Sequence, residues 1–201
     1  LIMGWNFYNA SGELQINDGG VQAASAVFTG NVDLGSNLLV GNAGSTGIAI
    51  SANGEVTMAA HPCVMATNSA DDSNVTGSSS APYVDFDNEV FDQGGDFASD
   101  IFTAPVTGRY LMTMTLGISG ITSAVSQISV QAVVSNNNSY LWYENDWSGV
   151  GYMFRSAAYI VDMDASDTAK IQVDNNGEAS DVHDIAGSSD GRTSVGYYLL
   201  A

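Results

Sequence analysis

Between residues 82 and 201 the chain alternates apolar and polar side chains with a period of two over long stretches, which predicts β-strands. Tyr110–Leu116 is one such stretch and Ile128–Val134 another; Ala157–Val161, Lys170–Val173 and Val195–Leu200 follow. Turn-forming runs separate them: Asn136–Ser139, Asp164–Asp167, Asn175–Gly177 and Gly187–Gly191. Strands at this spacing, without helical stretches between them, predict a β-sandwich or jelly roll. The texture differs upstream. Residues 1–60 are short apolar bursts broken by Gly and Asn. Trp5, Phe7 and Tyr8 precede Ser11-Gly12, and Leu14 and Ile16 follow, which predicts a hairpin. Ile48 and Ile50 precede Asn53-Gly54, and Val56 and Met58 follow, which predicts a second. No piece of this region can enclose a core alone, so it reads as a stem that buries its apolar face against copies of itself. Residues 66–81 are small, polar and acidic and read as a loop or an extended surface crossing.

Composition sharpens the all-β reading. Ser, Asn, Gly and Thr supply 74 of 201 residues, while Lys occurs once and Glu five times, so charged helix formers are almost absent. Aromatic residues at 9% and frequent apolar runs argue against disorder. The net charge is −18, and residues 1–108 hold twelve acidic side chains and no Lys or Arg. Such a surface excludes nucleic acid and anionic lipid as partners, since both need cations. Cys63 is the single cysteine, so there is no intrachain disulfide, and no apolar run approaches the roughly 18 residues that span a bilayer. The chain opens on Leu1 and reads as a fragment of a longer polypeptide or a processed one.

Phe86, Asp92 and Phe97 follow a spacing of five and then four intervening residues, and Phe102, Gly108 and Tyr110 a spacing of five and then one. These positions, within a stretch that includes FTAPVTGRY, resemble the trimeric jelly-roll head of complement subcomponent q and the tumour necrosis factor ligands. Two departures stand out: the gap between Phe97 and Phe102 is two residues shorter than the family's, and two expected aromatics are Met112 and Met114. Val64–Thr67 is similar to the family's first strand, Pro82–Phe86 to its second, and Ser194–Leu200 to its last. The resemblance implies a jelly-roll head over 61–201 that assembles as a homotrimer. It implies that the last strand lies near the threefold axis and supplies Tyr197, Tyr198 and Leu199 there. WNFYNASGELQINDGG resembles segments of bacteriophage tail and fibre proteins. That likeness implies a β-rich stem or connector over 1–60 and a place on the virion surface.

The candidate chemistry is sparse. Gly187-Ser-Ser189-Asp-Gly191 matches the nucleophile-elbow string but precedes a predicted strand where an elbow needs a helix, so it reads as a polar turn. His183, within Asp181-Val-His-Asp184, reads as a surface turn, and His61-Pro62-Cys63 as the start of a strand at the junction of stem and head. Asp162–Ser166 begins like a calcium loop but lacks the glycine and glutamate that an EF-hand needs. Several complement-type heads bind calcium through loop carboxylates, and Asp85, Asp87 and Asp92 belong to a large stock of acids here. Calcium is the cofactor the resemblance leaves open, with no metal ligands assigned.

An aromatic cluster is more informative. Tyr140, Trp142, Tyr143, Trp147 and Tyr152 fall among Glu144, Asn145 and Asp146. Aromatic faces beside amides and carboxylates suit sugar binding, whereas alternate positions such as Tyr140 and Trp142 also suit a core. Trp147, near Gly149 and Gly151, leads the candidates for receptor binding, with Trp142, Tyr143 and Tyr152. The expectation is a non-enzymatic trimeric virion fibre or spike component. Its stem joins other virion proteins, and its head binds a cell-surface glycan or protein of the host. A structural decoration fibre without a specific ligand is the alternative.

Overall fold

The computed structural model describes residues 39–40, 47–51, 53–78, 80–145 and 151–201. Among them are fifteen strands and no helix. In chain order these are β1 (Leu39–Val40), β2 (Gly47–Ile50), β3 (Val56–Met58), β4 (Cys63–Thr67), β5 (Asp72–Thr76), β6 (Asn88–Asp92), β7 (Phe97–Ala98) and β8 (Ile101–Thr103). There follow β9 (Gly108–Ile121), β10 (Gln127–Val134), β11 (Ser139–Asn145), β12 (Gly151–Met163), β13 (Thr168–Asn176), β14 (His183–Ile185) and β15 (Ser194–Leu199). All lie in one unit, Leu39–Ala201.

The long alternating stretches become the long strands, and their pattern decides the layers. A seven-stranded sheet runs β5-β14-β9-β15-β4-β6, with β12 on the other edge of β9. A five-stranded sheet runs β11-β10-β13-β8-β7. Every pairing is antiparallel. Tyr110, Met112, Met114, Leu116 and Ile118 of β9 point inward and are buried against inward residues of the other sheet, such as Phe102, Ile128, Val130, Ile171 and Val173. The two methionines occupy the positions where the resemblance leads one to expect aromatics; a flexible thioether fills such gaps. The result is a jelly-roll sandwich.

The aromatic residues that carry the resemblance, Phe86, Phe97, Phe102 and Tyr110, lie in that core. Phe102 stacks on Tyr197 at 4.4 Å between centroids and 8° between planes, and meets Tyr110 edge-on at 5.3 Å. Tyr110 donates its hydroxyl to the Val106 carbonyl at 2.7 Å. A Cβ on Gly108 would stand 2.6 Å from the Ala201 carbonyl oxygen and 2.7 Å from a Leu199 methyl, so only glycine fits under the chain end. Asp92 holds the turn to β7: its carboxylate accepts the N–H groups of Gly94, Gly95, Asp96 and Phe97.

A separate three-stranded sheet, β1-β2-β3, contains the Asn-Gly hairpin where the turn chemistry puts it. Gly54 has φ +89°, the left-handed region that such turns require. The Ser11-Gly12 hairpin lies outside the described residues.

Four expectations change. Residues 66–81 contain β5, a mostly polar edge strand that pairs with β14 through the backbone, with its one apolar residue, Val75, packed against the core. Pro82–Phe86 pairs with β13 only around Tyr83, through the Val84 N–H on the Ile171 carbonyl and the Val173 N–H on the Pro82 carbonyl, rather than as a full strand; beyond that, the Phe86 N–H donates to the Asp100 carboxylate. His183 is fully buried within β14 rather than on a surface turn. Tyr197 points into the core with Leu199 packed against it, so of the three expected axis residues Tyr198 alone is clearly outward.

Candidate functional site

Two exposed aromatic surfaces emerge, one on the outward face of each large sheet. The first is built by register. Tyr198 and Gly196 of β15 lie opposite Leu111 and Thr113 of β9 on one side and Cys63 and Met65 of β4 on the other. Ile160, Ala158 and Phe154 of β12 lie opposite Leu111, Thr113 and Gly117. Phe91 of β6 lies opposite Met65. Phe91, Phe154, Ile160, Tyr198 and Leu200 are exposed. Two shallow concavities lie here, one of about 210 Å³ between Met65, Phe91, Leu111 and Tyr198, the other of about 380 Å³ lined by Thr113, Thr115, Ser156 and Ser194. Across β4, β15, β9 and β12 the outward positions hold a single carboxylate, Asp162, opposite Arg109 at one end. In a chain of charge −18, a face this poor in acids is unusual.

The second surface lies on β10 and β11. A bulge between Val130 and Gln131 lets β11 accommodate one extra residue, Leu141. Trp142 therefore pairs with inward-facing Val130, while Tyr140 pairs with outward-facing Gln131 and Tyr143 with Ser129. Tyr140 and Tyr143 project on the same side, 59% and 47% exposed, and their rings meet edge-to-face at 5.4 Å. Period two alone would have put Tyr140 on the side of Trp142.

These positions separate the candidate receptor residues. Trp142 is half-buried against the core, with the Arg155 guanidinium 4.9 Å from its ring centroid. Arg155 also lies 3.5 Å from the Glu144 carboxylate. Tyr143 lies on the outward face of the five-stranded sheet. Tyr152 lies beside Phe154 on the seven-stranded sheet, their rings parallel within 3° at 6.4 Å. Trp147 lies outside the described residues. Leu111, Ile160 and Phe91 were missed. Leu111 and Ile160 do carry a signal: each is apolar beside an inward apolar neighbour, which breaks the alternation.

The remaining candidates take the following places. Gly187–Gly191 forms a turn closed by the Gly191 N–H on the Ser188 carbonyl, and the strand β15 follows it. The Asp167 carboxylate caps the turn after β12, accepting from the Asp164 N–H, Ser135 and Asn136. The His61 ring lies 4.6 Å from Tyr198, with Nε2 2.7 Å from the Leu199 carbonyl oxygen. The Asn175 amide donates to His183 Nδ1 at 3.2 Å, which leaves the ring proton on Nε2, a buried atom without a partner. Burial pushes the His183 pKa down. Burial first, and then neighbouring acids, push Asp72 and Asp85 up. Among the described residues no group of three or more His, Cys, Asp and Glu side chains is arranged to hold a metal ion.

No family model matches the sequence, and no curated protein matches it. Solved structures are similar in fold. The globular domain of zebrafish complement 1qA superposes with a TM-score of 0.49 at 13% identity, over 70% of this chain and 98% of that one. Murine APRIL at pH 8.5 gives 0.47 at 14%, and at pH 8.0 gives 0.48 at 16%, each over 70% of this chain and 99% of that one. The jelly-roll assignment stands on the two sheets and their shared core.

Proposed function

We propose that this chain is a non-enzymatic, homotrimeric fibre component of a virion, with a jelly-roll head that attaches to a receptor on the host surface, a glycan by preference. The observation that carries the reading is the outward face of the seven-stranded sheet. Phe91, Leu111, Ile160 and Tyr198 give it apolar surface, and the scarcity of carboxylates across β4, β15, β9 and β12 would let copies of a strongly acidic chain approach one another there. Exposed apolar patches rimmed by polar residues mark association sites. The sequence resemblance to trimeric heads supports three copies, and the phage-like opening segment supports a place on a virion. Three heads on one stem multiply weak single-site contacts. The stem joins the head to the particle.

The dispersal of Trp142, Tyr143 and Tyr152 over different surfaces favours the second reading, a decoration fibre whose head binds nothing specific. Light scattering tests the assembly. The expected mass is three times 20.9 kDa, and a stable monomer overturns the trimer. Running it with calcium and with a chelator tests the cation: a drop in mass on chelation would establish one. Adsorption of the chain to host cells then separates attachment from decoration.

A further inference from the structure

The outward corner formed by Tyr140 and Tyr143 is, we infer, a site for a neutral sugar ring, repeated once per subunit. The inference rests on the attachment reading and names its surface. The bulge in β11 brings the two tyrosines onto one side, and their edge-to-face contact makes a floor and a wall. Polar groups lie beneath them in register. Tyr140 lies opposite Gln131, which in turn lies opposite Gln172. Tyr143 lies opposite Ser129, which lies opposite Asp174. Ser129 is 1% exposed and its hydroxyl has no hydrogen-bond partner, although a buried hydroxyl normally has one. An aromatic corner beside the Gln131 amide and the Asp174 carboxylate offers C–H stacking on one side and hydrogen bonds for sugar hydroxyls on the other, with the closed-off Ser129 hydroxyl beneath. The chain's charge of −18 disfavours an acidic sugar. The corner faces away from the seven-stranded sheet, so assembly through that sheet leaves it open.

The test uses the full chain and an array of neutral glycans ending in glucose, galactose, mannose, N-acetylglucosamine or N-acetylgalactosamine. At least one is expected to bind. Tyr140→Ala and Tyr143→Ala should each weaken that binding about tenfold. Val106→Ala, an exposed side chain outside both surfaces, should leave it unchanged, and Tyr152→Ala tests the rival position on the other sheet. Thermal melting checks that the exposed substitutions leave the fold intact. Binding that survives both substitutions at the corner, or that is lost with Tyr152→Ala, moves the sugar site elsewhere and overturns this inference while attachment stands. If no neutral glycan binds while the chain still adsorbs to cells, the sugar site is again overturned. If neither occurs, attachment falls with it.

Discussion

His183 shows how one buried side chain sets a pH response. Its ring is enclosed, bonded through Nδ1 to Asn175, and burial holds its pKa below the ordinary value, with Glu178 and Asp184 pulling the other way. In the unfolded chain the ring titrates near its usual value of about 6.5. Below that pH the unfolded chain binds the extra proton, so stability falls as pH drops through this range and is unaffected above it. The denaturation midpoint of the wild type should therefore fall between about pH 7.5 and about pH 5 by more than that of His183→Gln, which cannot take the proton. Equal slopes would show that His183 does not titrate in this way. Asp92 is a second such residue. Burial raises its pKa, but the four backbone N–H groups outweigh that and hold the carboxylate below its usual range. Asp92→Ala leaves those donors without their acceptor and is expected to cost about 2 kcal/mol, read as a lower melting temperature. The spacing that flagged Asp92 was legible in the sequence. Its role as the acceptor for the following turn was not, because that depends on backbone directions.

Elements were legible in proportion to how much of their information is local. β9, β10, β13 and β15 each bury one face, so their residues spell the period of two. The β2–β3 hairpin was legible because Asn53-Gly54 is turn chemistry in two residues. β5 and β14 were not: β5 has one apolar residue, Val75, β14 has three residues in all, and their pairing comes from chain segments far apart in sequence. The bulge in β11 was equally hidden. It flips the side of Tyr140 relative to Trp142, and the partner strand decides where the extra residue falls. Part of the candidate surface was thus readable as residue types but not as geometry. The start of β9 offers an element-scale test. Gly108→Ala places a Cβ against the Ala201 carbonyl oxygen and a Leu199 methyl, where the Arg109 N–H also donates to Ala201 at 2.7 Å. Displacing that chain end is expected to cost about 1–3 kcal/mol, measured by chemical denaturation, and an unchanged midpoint would show that it moves aside freely.

At the scale of the whole molecule, the outward face of the seven-stranded sheet should respond to a single charge. Leu111→Asp puts a carboxylate at the middle of that face, opposite Tyr198 and Ile160. The proposed trimer is expected to dissociate at concentrations where the wild type stays assembled, with the strand content seen by circular dichroism unchanged; an assembly that tolerates the change must use another surface. The scarcity of acids there has a further consequence for the proposed trimer. Carboxylates kept off that contact crowd onto what remains, so the assembly would gather three chains' worth of negative potential around a seam poor in charge. Counterions then govern the balance: screening weakens the repulsion and leaves the apolar contact intact. Such particles should tighten in brine and loosen in dilute buffer, the reverse of a complex clasped by ion pairs.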